Sequence, residues 1–218
     1  MDKFKQNEDD KSYKVIIGSA NDEIEIKKSR FIGQTFPVGS IEEADTIIKD
    51  VSKKYWDARH NCYAYIIGQG SEVQRFSDNG EPSGTAGKPI LEVLKTEGIT
   101  NSLIIVTRYF GGTLLGTGGL VRAYTKASQA AIAVSKIAVM TFGQKLTFTI
   151  GYDMVDKIQH AFGEIGIKLD NPIYGADVSY DIVVRESDID KTIGIITQIT
   201  SARAVIIEGQ KDYYPIEI

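Results

Sequence analysis

The stretch from Arg108 to Arg122 reads RYFGGTLLGTGGLVR, and its interpretation decides the fold of the first half of the chain. Five of its fifteen residues are glycine. It follows Leu103–Val106, a continuous apolar run that is typical of a strand covered on both faces. It leads into Leu120–Val134, where apolar side chains recur at helical spacing. The stretch therefore predicts a glycine-rich loop between a buried strand and an amphipathic helix.

This loop is a candidate anion site. Glycine lets a ligand approach the backbone closely, and the first N–H groups of the following helix are free and lie at the positive end of its dipole. Arg122 and Lys126 are four residues apart, so they share a helix face. The alternative is a tight turn whose glycines serve only the packing of strand and helix. The residues predicted to bind an anion or nucleic acid are Arg59, His60, Lys88, Arg108, Tyr109, Gly111, Gly112, Gly116, Thr117, Gly118, Gly119, Arg122 and Lys126.

Known nucleotide-binding motifs do not fit the loop. Gly111 and Gly116 have the spacing of a P-loop, but Thr117 stands where that motif requires lysine. A dinucleotide-binding pattern that begins at Gly116 fails because Val121 occupies its last glycine position. These departures exclude P-loop ATPases and GTPases and Rossmann-type enzymes.

A second candidate region is the loop that follows Phe76. Asn79-Gly80 predicts a turn, and Asp78 and Glu81 place two carboxylates close together, with Thr85 a further candidate. Paired carboxylates could serve acid–base catalysis or hold a hard metal ion. The alternative, which the sequence favours, is that they cap backbone N–H groups or face water. No catalytic residue and no metal ligand is assigned.

His60 and Cys62 could suggest a nucleophile and its base. On a strand, residues i and i+2 lie roughly 6.6 Å apart, which is poor geometry for a hydrogen bond. The sequence therefore favours a packed Cys62 with His60 at a polar edge. Arg59 and His60 are expected to line a site shared with Arg108. Arg108 itself is expected at the surface, where its loss would barely change stability.

Composition sets further bounds. The 218 residues carry a net charge of −4 and include one cysteine, so an internal disulfide and a cysteine-based zinc site are both excluded. No apolar run approaches the ~20 residues of a membrane span, and the charged N-terminus lacks a signal-peptide core. These features predict a cytoplasmic protein without a membrane association. No cofactor is expected.

The second half of the chain predicts a separate domain. Residues 145–218 carry 7 basic and 12 acidic side chains, against 18 and 17 in residues 1–136. Their pattern reads β-α-β-β-α-β, the ferredoxin-like split, with its middle strands at Ile167–Leu169 and Val178–Val184. Gly143 is taken as the break between domains 1–140 and 144–218. A nucleic-acid or phosphate partner is expected to prefer the less acidic first domain.

Three motifs in order resemble the signatures of the IMPACT/YigZ family, an uncharacterised family (UPF0029). They are Asp57–Tyr65, Phe76–Gly87 and Val106–Tyr124, within a resemblance that covers roughly residues 14–135. The tail from residue 145 resembles the ferredoxin-like domain of the bacterial members. Asn79 departs from the pattern, because a second aspartate is expected there.

The resemblance implies an α+β fold with two domains. The first would resemble domain 2 of ribosomal protein S5 and the second a ferredoxin, and the pair would resemble the last two domains of elongation factor G. RNA or the ribosome is therefore the implied partner, and a protein partner stays unknown. Eukaryotic relatives inhibit a translation-control kinase, but they use an additional N-terminal domain, so kinase regulation is not carried over.

The sequence thus favours a non-enzymatic, nucleic-acid- or ribosome-associated protein linked to the regulation of translation, with an anion or phosphate site at the glycine-rich loop. One alternative is a hydrolase that uses His60 with Asp78 or Glu81. The other is a protein-interaction module. Neither the ligand nor the oligomeric state follows from the residues.

Overall fold

The structure is a computed structural model, and it describes residues 12–167, 169 and 171–217. It divides into an N-terminal unit, Tyr13–Val139, and a C-terminal unit, Met140–Pro215. Each unit contains its own hydrophobic core. Within the described part of the chain, no helix is long and apolar enough to cross a membrane.

The N-terminal unit is built from one antiparallel sheet and three helices. Its elements are β1 (Tyr13–Ile17), β2 (Ala20–Ile26), β3 (Ser29–Pro37), α1 (Ile41–Lys54), β4 (His60–Ile67), β5 (Val73–Ser77), α2 (Gly87–Glu97), β6 (Ser102–Tyr109), α3 (Thr117–Ala133) and the start of β7 (Lys136–Ile150). The sheet has the strand order β2-β3-β6-β4-β5. Strand β1 pairs with β7, the strand in which the chain passes into the C-terminal unit.

Strand β6 lies at the centre of this sheet and is buried on both faces. Ile104 and Val106 belong to the core that includes α2 and α3. Leu103 and Ile105 point the other way, into the core that includes α1. The apolar run predicted from the sequence is therefore confirmed as a strand covered on both sides.

Local sequence signals fix the ends of two helices. Ser40 is the N-cap of α1, and its side chain accepts a hydrogen bond from the Glu43 N–H at 3.2 Å. Gly98 ends α2 with a φ of 66°, the left-handed conformation that glycine adopts without a steric cost. Helix α3 begins at Thr117, three residues before the first apolar position of its stripe.

The C-terminal unit has the ferredoxin-like arrangement. Its elements beyond β7 are α4 (Val155–Glu164), β8 (Ile173–Tyr174), β9 (Val178–Arg185), α5 (Ile189–Thr200) and β10 (Val205–Glu217). Strand β7 lies between β10 and β9, and β8 pairs with β9 at the edge. Buried side chains of β7 and β9 pack with Ile158 and Phe162 of α4 and with Ile189 and Ile196 of α5. The predicted α+β class, with two units and antiparallel sheets, is confirmed.

Two local predictions were wrong. Gly143 does not break the chain, because β7 runs through it without interruption. A Cβ atom there would lie 2.3 Å from the Val184 carbonyl oxygen, so glycine permits the close approach of β9. The first middle strand of the split is β8 rather than Ile167–Leu169, since Ile167 and Leu169 are not in a strand and Lys168 lies outside the described residues.

Separate cores predict that the two parts of the chain fold independently, with the anion site in the first. Residues 1–140 and 144–218, expressed as separate fragments, should each show a cooperative thermal unfolding transition by circular dichroism, because each keeps its own buried cluster. A fragment that gives no cooperative transition would contradict this division.

Candidate functional site

The predicted site residues partly converge on one cleft in the N-terminal unit, with a volume of about 440 Å³. Its polar lining comes from two strand ends, the loop before α2 and the start of α3, and consists of Arg59, His60, Glu81, Arg108, Gly116 and Thr117. Its apolar lining consists of Pro82, Phe110, Leu114, Leu115 and Leu120. A cleft of this size is in the range of small-molecule and nucleotide sites.

Sheet register places the polar floor of the cleft. Strands β4 and β6 are antiparallel, and His60 lies directly opposite Arg108. On the other side of β6, Phe31 of β3 is the partner of Arg108. Side chains of directly paired residues share a face of the sheet, so these three form one row beneath α3.

Glu81 connects this row to the rest of the unit. Its Oε1 accepts hydrogen bonds from Arg108 Nη1 at 2.5 Å and from the Tyr124 hydroxyl at 2.8 Å. His60 Nε2 lies 3.9 Å from the same oxygen. The Arg108 and Glu81 side chains are only 6% and 4% exposed. A buried and directly hydrogen-bonded ion pair therefore forms the floor of the cleft.

The prediction that Arg108 is a surface side chain was wrong. Its guanidinium lies between the rings of Phe31 and Phe110, 5.4 Å and 5.6 Å from their centroids. Nη2 is 3.5 Å from Ser29 Oγ, and Nε is buried without a hydrogen-bond partner in the described structure. The positive charge of Arg108 is compensated by Glu81, so it is not available at the surface as expected.

Asp78 has the capping role that the sequence favoured. Its Oδ1 accepts hydrogen bonds from the N–H groups of Ala86 and Gly87, and its Oδ2 from that of Gly84, at 2.8–3.0 Å. A carboxylate at the start of α2 is also favoured by the helix dipole. Thr85 is buried and donates its hydroxyl proton to the Pro82 carbonyl at 2.6 Å. Asp78 and Thr85 are thus committed to the fold of the loop.

Asn79, the residue that departs from the family pattern, also holds this loop in place. Its side-chain oxygen accepts a hydrogen bond from the Asn61 N–H at 2.7 Å, and its backbone carbonyl accepts one from His60 Nδ1 at 2.8 Å. Because a carbonyl can only accept, the Nδ1 atom of His60 carries a proton. In neutral His60 the lone pair is therefore on Nε2, the nitrogen nearer to Glu81.

Cys62 is packed in the core, as the sequence favoured. Its thiol donates to the Asp78 carbonyl at 3.0 Å and lies 3.4 Å from the Tyr124 hydroxyl. Burial raises the pKa of Cys62 to about 12 and also raises the pKa of Tyr124. Since the thiolate is the nucleophile, a thiol that stays protonated at neutral pH is a poor catalyst.

The glycines of the glycine-rich loop differ in their surroundings. A Cβ atom at Gly111 would lie 2.0 Å from the backbone of Lys28, so this glycine serves packing. Gly112 and Gly116 have positive φ values of 84° and 72°, with open space where a side chain would be. Gly118 and Gly119 lie in the first turn of α3.

The N-terminus of α3 lines the cleft and has no side-chain cap. Its N-cap residue is Gly116, and its first turn contains no acidic residue. The first helical hydrogen bond runs from the Leu120 N–H to the Gly116 carbonyl, which leaves the N–H groups of Thr117, Gly118 and Gly119 without an acceptor in the helix. A Cβ atom on Gly118 would lie 3.7 Å from Arg122 Nη1, so the Arg122 guanidinium lies beside this turn.

Some predicted site residues lie elsewhere. Lys88 lines a second groove, of about 320 Å³, between α2 and α3. The Tyr109 hydroxyl donates a hydrogen bond to Asp57 at 2.8 Å. The Arg30 guanidinium lies over the Tyr109 ring, 5.4 Å from the ring centroid. Lys126 is exposed on α3, one turn beyond Arg122. Among the described residues, no group of three or more His, Cys, Asp or Glu side chains could hold a metal ion.

Sequence reasoning missed three aromatic residues that contact Glu81 or Arg108. Tyr124 lies on the apolar stripe of α3, yet its hydroxyl donates a hydrogen bond to Glu81. Phe31 and Phe110 were not assigned a role, yet they enclose Arg108. A tyrosine within a buried helical stripe signals a hydroxyl that needs a partner, although it does not identify that partner.

Comparison with known proteins gives matches along most of the chain. Residues 27–132 match the Impact N-terminal domain, and residues 148–203 match a domain of unknown function (DUF1949). The IMPACT family member YvyE of Bacillus subtilis is 35% identical over 202 residues, which cover 93% of both chains. The IMPACT family member YigZ of Escherichia coli is 38% identical over 71% of this chain and 76% of its own length.

A solved structure has a similar fold over most of its length. A crystal structure described as that of a hypothetical protein matches 90% of this chain and 96% of its own, with 31% sequence identity and a TM-score of 0.58.

The burial of Arg108 predicts a large effect on stability. Arg108→Ala should lower the free energy of unfolding by about 3–5 kcal/mol, because it leaves the Glu81 carboxylate buried without its cation. Chemical unfolding monitored by circular dichroism measures this loss.

Arg30→Ala is the matched control for this prediction. It removes an arginine from an ion pair with Glu23 whose side chains are 50% and 45% exposed, so its effect should be much smaller. Equal losses for the two variants would show that the Arg108 pair does not stabilise the fold as its burial implies.

Proposed function

The chain belongs to the IMPACT family, and on this premise we propose that it is a non-enzymatic, nucleic-acid- or ribosome-associated protein linked to the regulation of translation. In this proposal the cleft and the adjoining face of α3 bind the phosphate groups of RNA. A cytoplasmic location is part of the proposal, because the components of translation are found there.

The uncapped N-terminus of α3 carries the proposal. Three N–H groups without helical acceptors, together with the positive end of the helix dipole, form the kind of site that binds phosphate groups in many proteins. Gly116 and Thr117 line the cleft directly. The absence of acidic residues from the first turn leaves this positive potential uncompensated by the helix itself.

Exposed cations extend the same surface. Arg59 lines the cleft, and Arg122 and Lys126 lie one turn apart on the exposed side of α3. Arg122 belongs to the second turn of α3, but its guanidinium lies beside Gly118 in the first turn, where the helix dipole disfavours a positive charge. A ligand phosphate at the helix end would compensate both charges. Arg108 is not part of this proposed contact, because Glu81 already neutralises it.

The link to translation is supported by the family alone. The resemblance to the last two domains of elongation factor G implies contact with RNA or the ribosome, and the chain spans nearly the whole length of the relative from Bacillus subtilis. The N-terminal unit contains the proposed contacts, in agreement with the lower density of acidic residues in the first half of the sequence.

A hydrolase that uses His60 would have only one of the two candidate carboxylates available as a catalytic group. Asp78 uses both oxygens to hold the start of α2, so it is not free to act as a base. Glu81 remains close to His60 Nε2, but its Oε1 is already engaged by Arg108 and Tyr124. We therefore do not propose a second function.

Phosphate binding predicts a steep salt dependence. The affinity for a fluorescently labelled single-stranded RNA, measured by anisotropy between about 50 and 200 mM salt, should fall linearly on a log–log plot. The double substitution Arg122→Ala/Lys126→Ala should reduce the slope by about 0.7 for each phosphate contact that is lost. Ribosome co-sedimentation at two salt concentrations extends the test to the assembled partner.

Lys191→Ala provides the control, because it removes one exposed positive charge from α5 in the C-terminal unit. Its slope should equal that of the unaltered protein. A flat salt dependence, an absence of binding at low salt, or an equal change in the control would count against the proposed surface.

A further inference from the structure

The Glu81 carboxylate offers the cleft an unused acceptor. Both of its hydrogen bonds, from Arg108 and Tyr124, go to Oε1. No described residue donates a hydrogen bond to Oε2, although the side chain is only 4% exposed and lines the cleft. Oε2 is not fully buried, so a ligand in the cleft can reach it, and a hydrogen bond donated to a carboxylate is stronger than one between neutral groups.

His60 also favours a ligand that donates a hydrogen bond. Because its Nδ1 donates to the Asn79 carbonyl, the neutral ring offers only the Nε2 lone pair on its other side. This nitrogen lies 3.9 Å from Glu81 Oε1, and both residues line the cleft. Beside the Arg108 guanidinium, the floor therefore offers two acceptor atoms, Glu81 Oε2 and His60 Nε2. It suits a hydroxyl or an N–H group, whereas a phosphodiester, which has only acceptor oxygens, suits the opposite wall formed by the start of α3.

One kind of ligand carries both a phosphodiester and a hydrogen-bond donor. A ribonucleotide within a strand has a phosphodiester and, next to it on the sugar, a 2′-hydroxyl that can donate a hydrogen bond. The cleft volume of about 440 Å³ matches a single nucleotide better than a duplex, and Pro82, Phe110 and Leu114 give it an apolar wall for the sugar or base. Deoxyribonucleotides lack the donor.

We propose that Glu81 accepts a hydrogen bond from the ribose 2′-hydroxyl of a single-stranded RNA nucleotide bound in the cleft, so that the protein distinguishes RNA from DNA. This inference rests on the proposed function, in which the start of α3 binds the neighbouring phosphate. It adds a specificity that phosphate contacts alone do not provide, because RNA and DNA have the same backbone charge.

The test compares three single strands of the same length and base sequence: RNA, DNA and 2′-fluoro RNA. The 2′-fluoro strand keeps the charge and the ribose-like sugar shape but has no hydroxyl proton. Measured by anisotropy on the full chain at low salt, RNA should bind about ten-fold more tightly than both others, as expected for loss of one hydrogen bond to a charged acceptor.

Each outcome decides the inference. Equal affinity for all three strands overturns it and leaves the phosphate-binding surface intact. Equal affinity for RNA and 2′-fluoro RNA, with weaker binding of DNA, also overturns it, because sugar shape and not the hydroxyl donor is then recognised. Binding of none of the strands overturns both this inference and the proposed function.

A variant gives an independent measurement. Glu81→Gln keeps the size of the side chain but removes its charge, so the preference for RNA over 2′-fluoro RNA should shrink towards one. A Glu81→Gln protein that folds and retains the full preference contradicts the assignment. If the variant does not fold because Arg108 loses its partner, the three-strand comparison on the unaltered protein still decides.

Discussion

One oxygen of the Glu81 carboxylate joins three parts of the N-terminal unit. It accepts hydrogen bonds from Arg108 at the end of β6 and from Tyr124 in α3, while Glu81 itself belongs to the loop before α2. A charge pair buried this deeply is favourable only while both members remain, since either ion alone would lack compensation. The end of the central strand, the loop and the helix are therefore fixed against one another, and the cleft lies where they meet.

The same pair divides the cleft into two chemically different walls. Glu81 compensates the positive charge of Arg108, so the floor of the cleft is close to neutral. The floor also presents acceptor atoms, among them His60 Nε2. The opposite wall presents the N–H groups of an uncapped helix and is extended by exposed arginine and lysine side chains. In the proposed complex, the N–H groups of α3 and the acceptor atoms of the floor orient a ligand that carries both kinds of group. This arrangement explains how a single buried ion pair could contribute to specificity without contacting a phosphate.

Much of the fold could be predicted because its signals are local. The Ser40 cap, the left-handed Gly98 and the apolar run of β6 are each readable within a few residues, and the β-α-β-β-α-β order identifies the ferredoxin-like unit. The errors came from long-range contacts. Gly143 looks like a linker residue until β9 is placed beside it. Arg108 looks exposed until Glu81, 27 residues earlier, is placed against it, and its pairing with His60 depends on strand register. The cleft was thus only partly predictable, since charge compensation depends on partners distant in sequence.

The central claim is that RNA binds where the start of α3 faces the buried Glu81–Arg108 pair. Backbone amide NMR during a titration with single-stranded RNA tests this claim most directly, because each N–H group reports on its own surroundings. The account predicts that the largest chemical-shift changes occur at Thr117, Gly118 and Gly119, with smaller changes at Arg59 and His60. Saturating changes that fall instead in the C-terminal unit, or in the groove around Lys88, would contradict it.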